Sequence, residues 1–255
     1  MDAVPEVLDA LAAQHAELAD LLAGRPDADW RAPAPSCPGW SVADVILHLA
    51  QTDEFAVASA EDRFPAAAEQ LAGRDSGPGD VDAAADEMVA REREAPPSEI
   101  HARWQQGADH LREVLRAADP HARVTWVAGR LSVRTLATTR LAETWIHTGD
   151  VAEAWGVALA PSDRLWHVAR LAWRTLPYAF ARAGRSTPGP VAFMLRGPND
   201  DPWHFVPDEP AATTIRGDAL ELCLLAAQRR RPQETSLRGD GPDAPAVLDL
   251  VRTYA

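Results

Sequence analysis

The sequence predicts an α plus α/β protein in two parts, a helical domain over residues 1–185 and a smaller mixed α/β domain over residues 186–255. Three observations predict it. Apolar residues recur at helical intervals through most of the first part. The run Gly184-Arg185-Ser186-Thr187-Pro188-Gly189-Pro190 then breaks the pattern, because Gly and Pro are the strongest local interrupters of regular structure. Beyond it the apolar runs become short and strand-like. They are Val191-Ala192-Phe193-Met194-Leu195 and Trp203-His204-Phe205-Val206, joined by the turn residues Gly197-Pro198-Asn199-Asp200.

The elements follow in order. Val7, Leu8, Leu11, Leu18, Leu21 and Leu22 share helical spacing, and Gly24-Arg25-Pro26 ends that helix. Ser41 is placed as an N-cap, Asp44 three residues later completes a capping-box variant, and Trp40 and Val45 form a hydrophobic staple. This helix runs to about Arg63, before Pro65. A Gly-, Asp-, Ser- and Pro-rich loop fills residues 73–80. Helices follow over 81–94 and, after Pro96-Pro97-Ser98, over 99–118. Residues 120–129 read as a connector. Ser132 caps a helix that reaches about Trp155, and Pro161-Ser162-Asp163 starts another that reaches about Ala183. In the second part, residues 212–215 read as a third strand. Gly217-Asp218 opens an apolar helix to Gln228, Thr235-Ser236-Leu237 is a short strand, and residues 244–254 form the last helix.

Composition narrows the function classes. The chain has 255 residues, with 25 basic against 38 acidic and a formal net charge of -13. A phosphate backbone is bound by clustered cations, so nucleic acid is an unsuitable partner. Anionic membrane surfaces are unsuitable for the same reason. Every basic residue counted is Arg, and without lysine a Schiff-base mechanism is excluded. No apolar run is long enough to span a bilayer, and residues 1–6 show no signal-like pattern, so the expected location is the cytoplasm. Cys37 and Cys223 are far apart and form no C-x-x-C, which argues against a disulfide framework. Cys37 reads as a small turn residue and Cys223 as core. His15, His101, His110 and His121 lie in polar surroundings and read as surface residues, whereas His167 and His204 read as packed near an edge. No Gly-rich phosphate loop, G-x-S-x-G or H-E-x-x-H is present.

The chemistry concentrates in Glu143-Thr144-Trp145-Ile146-His147 and in the distant Leu47-His48-Leu49-Ala50. Glu143 and His147 stand at i, i+4 and share one helix face. All three polar residues sit in apolar, helix-forming runs, where a carboxylate and two imidazoles cost free energy unless something pairs them. Two His and one Glu with an open fourth position is a ligand set used for catalytic zinc. Spacing alone leaves the ordinary readings open: a hydrogen-bonded core histidine, and a surface Glu–His pair.

The surrounding words carry a resemblance. Cys37-Pro38-Gly39-Trp40-Ser41-Val42-Ala43-Asp44-Val45-Ile46-Leu47-His48-Leu49-Ala50 with Asp53-Glu54 resembles the N-terminal signature of the DinB-like, mycothiol-dependent maleylpyruvate isomerase superfamily. Arg140-Leu141-Ala142-Glu143-Thr144-Trp145-Ile146-His147-Thr148-Gly149-Asp150-Val151 looks like that family's second signature, and the likeness continues through residues 217–224 and 228–230. The resemblance implies a DinB-like four-helix bundle with a C-terminal domain similar to sterol-carrier proteins. It implies that His48, Glu143 and His147 bind a divalent metal, with Zn²⁺ best suited to a mixed nitrogen and oxygen set. It also implies a low-molecular-weight thiol of the mycothiol type as cosubstrate. In the family's thiol-dependent members such a thiol adds to an activated C=C bond, the resulting single bond rotates, and the thiol leaves.

Further candidates surround this set. Ligand histidines commonly donate their other ring N–H to a carboxylate. Asp44, one turn before His48, and Asp150, three residues after His147, are candidate partners of this kind. Arg140, on the stripe of Glu143, is expected to orient it or to meet a substrate carboxylate, with a solvated surface Arg as the alternative. In Gln228-Arg229-Arg230-Arg231, Arg230 matches the family's Gly-Arg element although Arg229 replaces the usual Gly. A solvated helix end is the alternative there.

Three functions fit these residues. The first is a metal-dependent isomerase or S-transferase that uses a thiol on a small unsaturated or electrophilic acid. The second is a thiol-independent isomerase, lyase or cyclase of specialised-metabolite biosynthesis on the same scaffold. The third is a non-catalytic metal- or lipid-binding module. The expected partners are a small-molecule substrate and a thiol, with the chain a monomer or weak homo-oligomer.

Overall fold

A computed structural model of the chain describes residues 6–65, 81–127 and 129–253. The loop expected over 73–80 lies outside them. The protein is helix-rich with small sheets, and contacts divide the described residues into two compact units, Val7–Leu159 and a second that begins at Ala160.

The first unit contains α1 (Val7–Leu22), α2 (Asp27–Trp30), α3 (Val42–Ala60), α4 (Val81–Glu92), α5 (Pro97–Ala117), the hairpin strands β1 (Arg123–Trp126) and β2 (Gly129–Ser132), and α6 (Val133–Ala154). Helix α3 packs on α5 and α6, α1 packs on α6 and α5, and α4 lies on α3. The patterning explains this. On α5 the buried residues Ile100, Trp104, Ala108, Leu111 and Leu115 form one stripe on an otherwise polar helix. Helix α3 buries Val45, Ile46, Leu47, Leu49 and Ala50 in succession, so it lies at the centre of the unit rather than on its surface. Its start is fixed as expected. The Ser41 hydroxyl accepts from the Asp44 amide, and the Asp44 carboxylate accepts from the Ser41 amide at 2.8 Å. Ser132 caps α6 by accepting from the Thr135 amide at 3.1 Å.

The expected connector over 120–129 is corrected by the hairpin, in which Arg123 pairs with Ser132 and Trp126 with Gly129. Four residues of alternating burial are too short a run to separate strand from loop by pattern. Val124, Trp126 and Leu131 turn their side chains into the core that also holds Leu111, Leu115 and Leu136.

The second unit begins earlier than the expected boundary at 185. Helices α7 (Leu165–Arg174) and α8 (Leu176–Arg182) belong to it, not to the helical part. Helix α7 buries Leu165, Val168, Ala169, Leu171 and Ala172 and packs against strand β4 and a later helix. The single helix expected over this stretch is broken at Thr175, before Leu176-Pro177, because proline lacks the amide that would continue the ladder. Strands β3 (Val191–Arg196), β4 (Pro202–Phe205), β5 (Thr213–Asp218) and β6 (Arg238–Asp240) form one sheet in the order β4-β3-β5-β6. The β3–β5 pair is parallel and the other two are antiparallel. Helix α9 (Ala219–Ala226) is capped by Asp218, and α10 (Ala244–Leu250) follows β6. The strand expected at 235–237 is displaced onto residues 238–240 by a 3-10 turn at Pro232–Glu234.

Among the described residues no helix is long and apolar enough to cross a membrane. Two histidine expectations are corrected. His15 is 3% exposed, whereas His204 is exposed on β4.

Candidate metal centre

Two helices of the first unit and one turn between its elements build the site. Helix α3 presents His48 and α6 presents Glu143 and His147 one turn apart. The contact between α3 and α6 brings ligand atoms of all three within 4.8 Å of one another. The Glu143 Oε2 lies 3.7 Å from Nε2 of His48 and 3.7 Å from Nε2 of His147. The imidazole rings meet edge to face at 5.1 Å. His48 and His147 are buried, and the Glu143 side chain is only 15% exposed.

The separations bear on what the group can hold. At 3.7 Å these atoms are too far apart for hydrogen bonds to each other. Two ligands about 2.1 Å from one tetrahedral ion stand about 3.4 Å apart, close to what is seen here. The donor set is two imidazole nitrogens and a carboxylate oxygen, all nearly dry. The residues therefore fit a divalent first-row cation.

The electrostatics agree. Burial alone would raise the Glu143 carboxyl, but the facing His147 and His48 imidazoles hold it well below the usual carboxylate range. Burial lowers His48, reinforced by the neighbouring His147. Burial would also lower His147, yet Asp150, Cys37 and Glu143 together push it well above its ordinary value. A divalent cation placed here would compete with a proton for His147 Nε2.

Asp150 accepts from His147 Nδ1 at 2.8 Å. A carboxylate partner leaves the proton on Nδ1 and turns the Nε2 lone pair toward Glu143 and His48. Asp44, the other expected carboxylate partner, does not touch His48 in this way. Its Oδ2 accepts from the Ser41 amide and hydroxyl, and Arg93 Nε lies 3.4 Å from its Oδ1. The N-cap takes the carboxylate, and His48 Nδ1 is left buried with no hydrogen-bond partner among the described residues.

Arg140 is 1% exposed, which removes it as a contact for a substrate carboxylate. Its Nε donates to Asp53 Oδ1 at 2.9 Å and its Nη2 to Thr52 Oγ1 at 2.9 Å, tying α6 to α3. Burial raises the Asp53 carboxyl against the pull of this guanidinium. The cation also helps to lower Glu143, so the orienting half of the Arg140 expectation is the one its position allows. Arg230 lies in the second unit, exposed, just beyond α9.

Sequence reasoning missed two residues that touch this group. The Cys37 thiol donates to Asp150 Oδ2 at 3.2 Å. The Trp40 ring packs against His48 at 5.2 Å, and its Nε1 donates to Asp86 Oδ1 on α4 at 2.7 Å. The only signal was their place just before the α3 cap, which reads equally well as a turn.

Comparison with known proteins follows this geometry. The family described as mycothiol maleylpyruvate isomerase N-terminal domain matches residues 11–152. An uncharacterized protein of Mycobacterium tuberculosis, found in two strains, is 34% identical over 255 residues, covering 100% of this chain and 96% of the relative. Among solved structures, the crystal structure of the mycothiol-dependent maleylpyruvate isomerase superposes with a TM-score of 0.61 at 14% identity, covering 95% of this chain and 96% of that one. A histidine-to-alanine mutant of that enzyme gives a TM-score of 0.59 at 15% identity over the same shares. At these identities the likeness to the solved structures is one of fold.

Proposed function

Because this chain belongs to the mycothiol maleylpyruvate isomerase N-terminal domain family, we propose that it is a metal-dependent isomerase or S-transferase. It would use a low-molecular-weight thiol of the mycothiol type on a small unsaturated or electrophilic acid. The observation that carries this reading is the convergence of His48, Glu143 and His147 on one nearly dry point. The four long helices α1, α3, α5 and α6 correspond in this reading to a DinB-like four-helix bundle, a scaffold in which metal sites form from side chains on facing helices.

A divalent ion held by the three residues favours the anionic form of a thiol or water beside it. The protein's own groups prepare for that. Asp150 fixes the His147 tautomer, and Glu143 contributes the charge that balances the cation. Arg140 and Asp53 hold α3 and α6 together next to the ligands. Trp40 supplies an aromatic wall against His48, able to pack on an unsaturated substrate.

The test is thiol-dependent turnover of a panel of unsaturated acids, with metal analysis of the purified protein. Activity that requires added thiol and disappears with a chelator is expected. Full activity in thiol-free buffer would reject thiol use, and full activity after verified metal removal would reject the metal.

A further inference from the structure

The turn before α3 holds more than a helix cap. Cys37 and Trp40 are its two ends: the Cys37 amide donates to the Ala34 carbonyl at 3.0 Å and the Trp40 amide to the Cys37 carbonyl at 3.0 Å. The Ala34 amide closes the loop by donating to the Trp40 carbonyl at 2.9 Å, and Pro33 bridges Ser41. Gly39 sits between them at φ +85°, a backbone state that glycine adopts without cost.

From this one turn, two side chains reach the two histidines of the metal group. Cys37 donates to the same Asp150 oxygen that receives His147 Nδ1–H, and the neighbouring Ser36 donates to Glu153 at 2.6 Å, so the turn grips α6 at two places one turn apart. Trp40 lies at the opposite end against the His48 ring, tilted by 54°, and is fixed in place by Asp86. Among the described residues His48 Nδ1 has no hydrogen-bond partner, which leaves the Trp40 ring contact to orient the imidazole from outside the metal group.

We infer that the Cys37–Trp40 turn is a clamp that positions both histidine ligands for a first-row divalent cation. Cys37 acts on His147 both from beside the ring and through Asp150, and Trp40 acts on the His48 ring directly. The inference rests on the metal reading of His48, Glu143 and His147. Cys37 is a positioning residue whose thiol divides the Asp150 charge between two donors, which tunes how strongly His147 gives its other nitrogen to the metal. Partners at this remove typically change metal affinity by 10–100-fold when lost.

The experiment uses Co²⁺ with the full chain, read by its visible d–d spectrum and by competition with a chromophoric chelator, with far-UV circular dichroism as the folding control. Cys37→Ala is expected to weaken Co²⁺ about tenfold, whereas Cys37→Ser, which keeps a donor, stays within about threefold of wild type. Trp40→Ala weakens binding and alters the spectrum, and Trp40→Phe restores most of both. Gly39→Ala is an independent variant. No atom lies within 4 Å of the added Cβ, so it strains only the turn's backbone, and it should weaken Co²⁺ as Cys37→Ala does. If folded Cys37→Ala, Trp40→Ala and Gly39→Ala all bind with wild-type affinity and spectrum, the clamp is overturned and the metal reading stands. If wild type takes up no Co²⁺, the metal reading falls and the clamp with it.

Discussion

Lowering the pH should destabilise the first unit through His15. The ring is 3% exposed, Arg112 Nη1 donates to its Nδ1 at 2.8 Å, and Thr144 Oγ1 lies 3.5 Å from its Nε2. A guanidinium can only donate, so this contact requires an unprotonated Nδ1. Burial, then the charges of Arg112 and Arg140, lower His15 from 6.5 to about 3. The unfolded chain therefore takes up a proton below pH 6.5 that the folded chain refuses. The stabilisation is complete above 6.5 and is lost as pH falls from 6.5 toward 3. Each pH unit in that window costs about 1.4 kcal/mol, which gives about 2 kcal/mol at pH 5. The assay is urea unfolding of metal-free wild type and His15→Gln at pH 7 and pH 5. Other titrating groups cancel between the two proteins. Wild type should lose about 2 kcal/mol more than the variant between the two pH values. Equal losses in the two proteins would refute the reasoning.

Other outcomes follow from the same contacts. His147→Ala should abolish turnover and cut metal content, measured by plasma emission, while the circular dichroism spectrum stays native; retained metal at wild-type stoichiometry would contradict the ligand assignment. Arg140→Met should cost about 3–5 kcal/mol of unfolding free energy by stranding the buried Asp53, and adding Asp53→Leu should recover most of it; equal stability of the single and double variants would show that the pair is not ionic. Because His147 is held well above its usual value in the metal-free site, Co²⁺ affinity should fall steadily as pH drops below that raised value, with one proton released per ion bound. A flat titration of affinity between pH 8 and 6 would count against His147 as a ligand.

The parts legible in sequence were those set by local rules. Ser41 with Asp44 and Ser132 with Thr135 are caps readable from residue type and spacing, and both begin helices that carry the metal group. Glu143 and His147 share a face because four residues advance only slightly more than one helical turn. Their meeting with His48 came from a family resemblance, since no local rule joins residues that far apart. The opaque parts depend on tertiary context. Asp44 had two possible uses, and the nearer backbone amide took it. Arg140 looked like a solvent-facing cation until Asp53 met it in the interior. His15 has polar neighbours in sequence but is covered by Trp104 from α5, ring to ring at 6.2 Å. The unit boundary moved to Leu159 because the apolar face of α7 packs on α9 and strand β4, and a face does not declare its partner in sequence.

The Arg140–Asp53 pair fixes more than stability. It joins α6 to α3 at 2.9 Å, three residues before Glu143 on one helix and five after His48 on the other. In the proposed metal reading, the spacing of the two helices that carry His48, Glu143 and His147 is set by a pair of groups outside that trio. Little ordering is left for the moment of binding, so the helices act as a gauge of fixed width. Such a gauge suits ions with bonds of about 2.0–2.2 Å and few ligands. It is poorly matched to Ca²⁺, which draws six to eight oxygens to about 2.3–2.6 Å. On the proposed metal reading, one ion would leave and another of similar size enter without α3 and α6 separating.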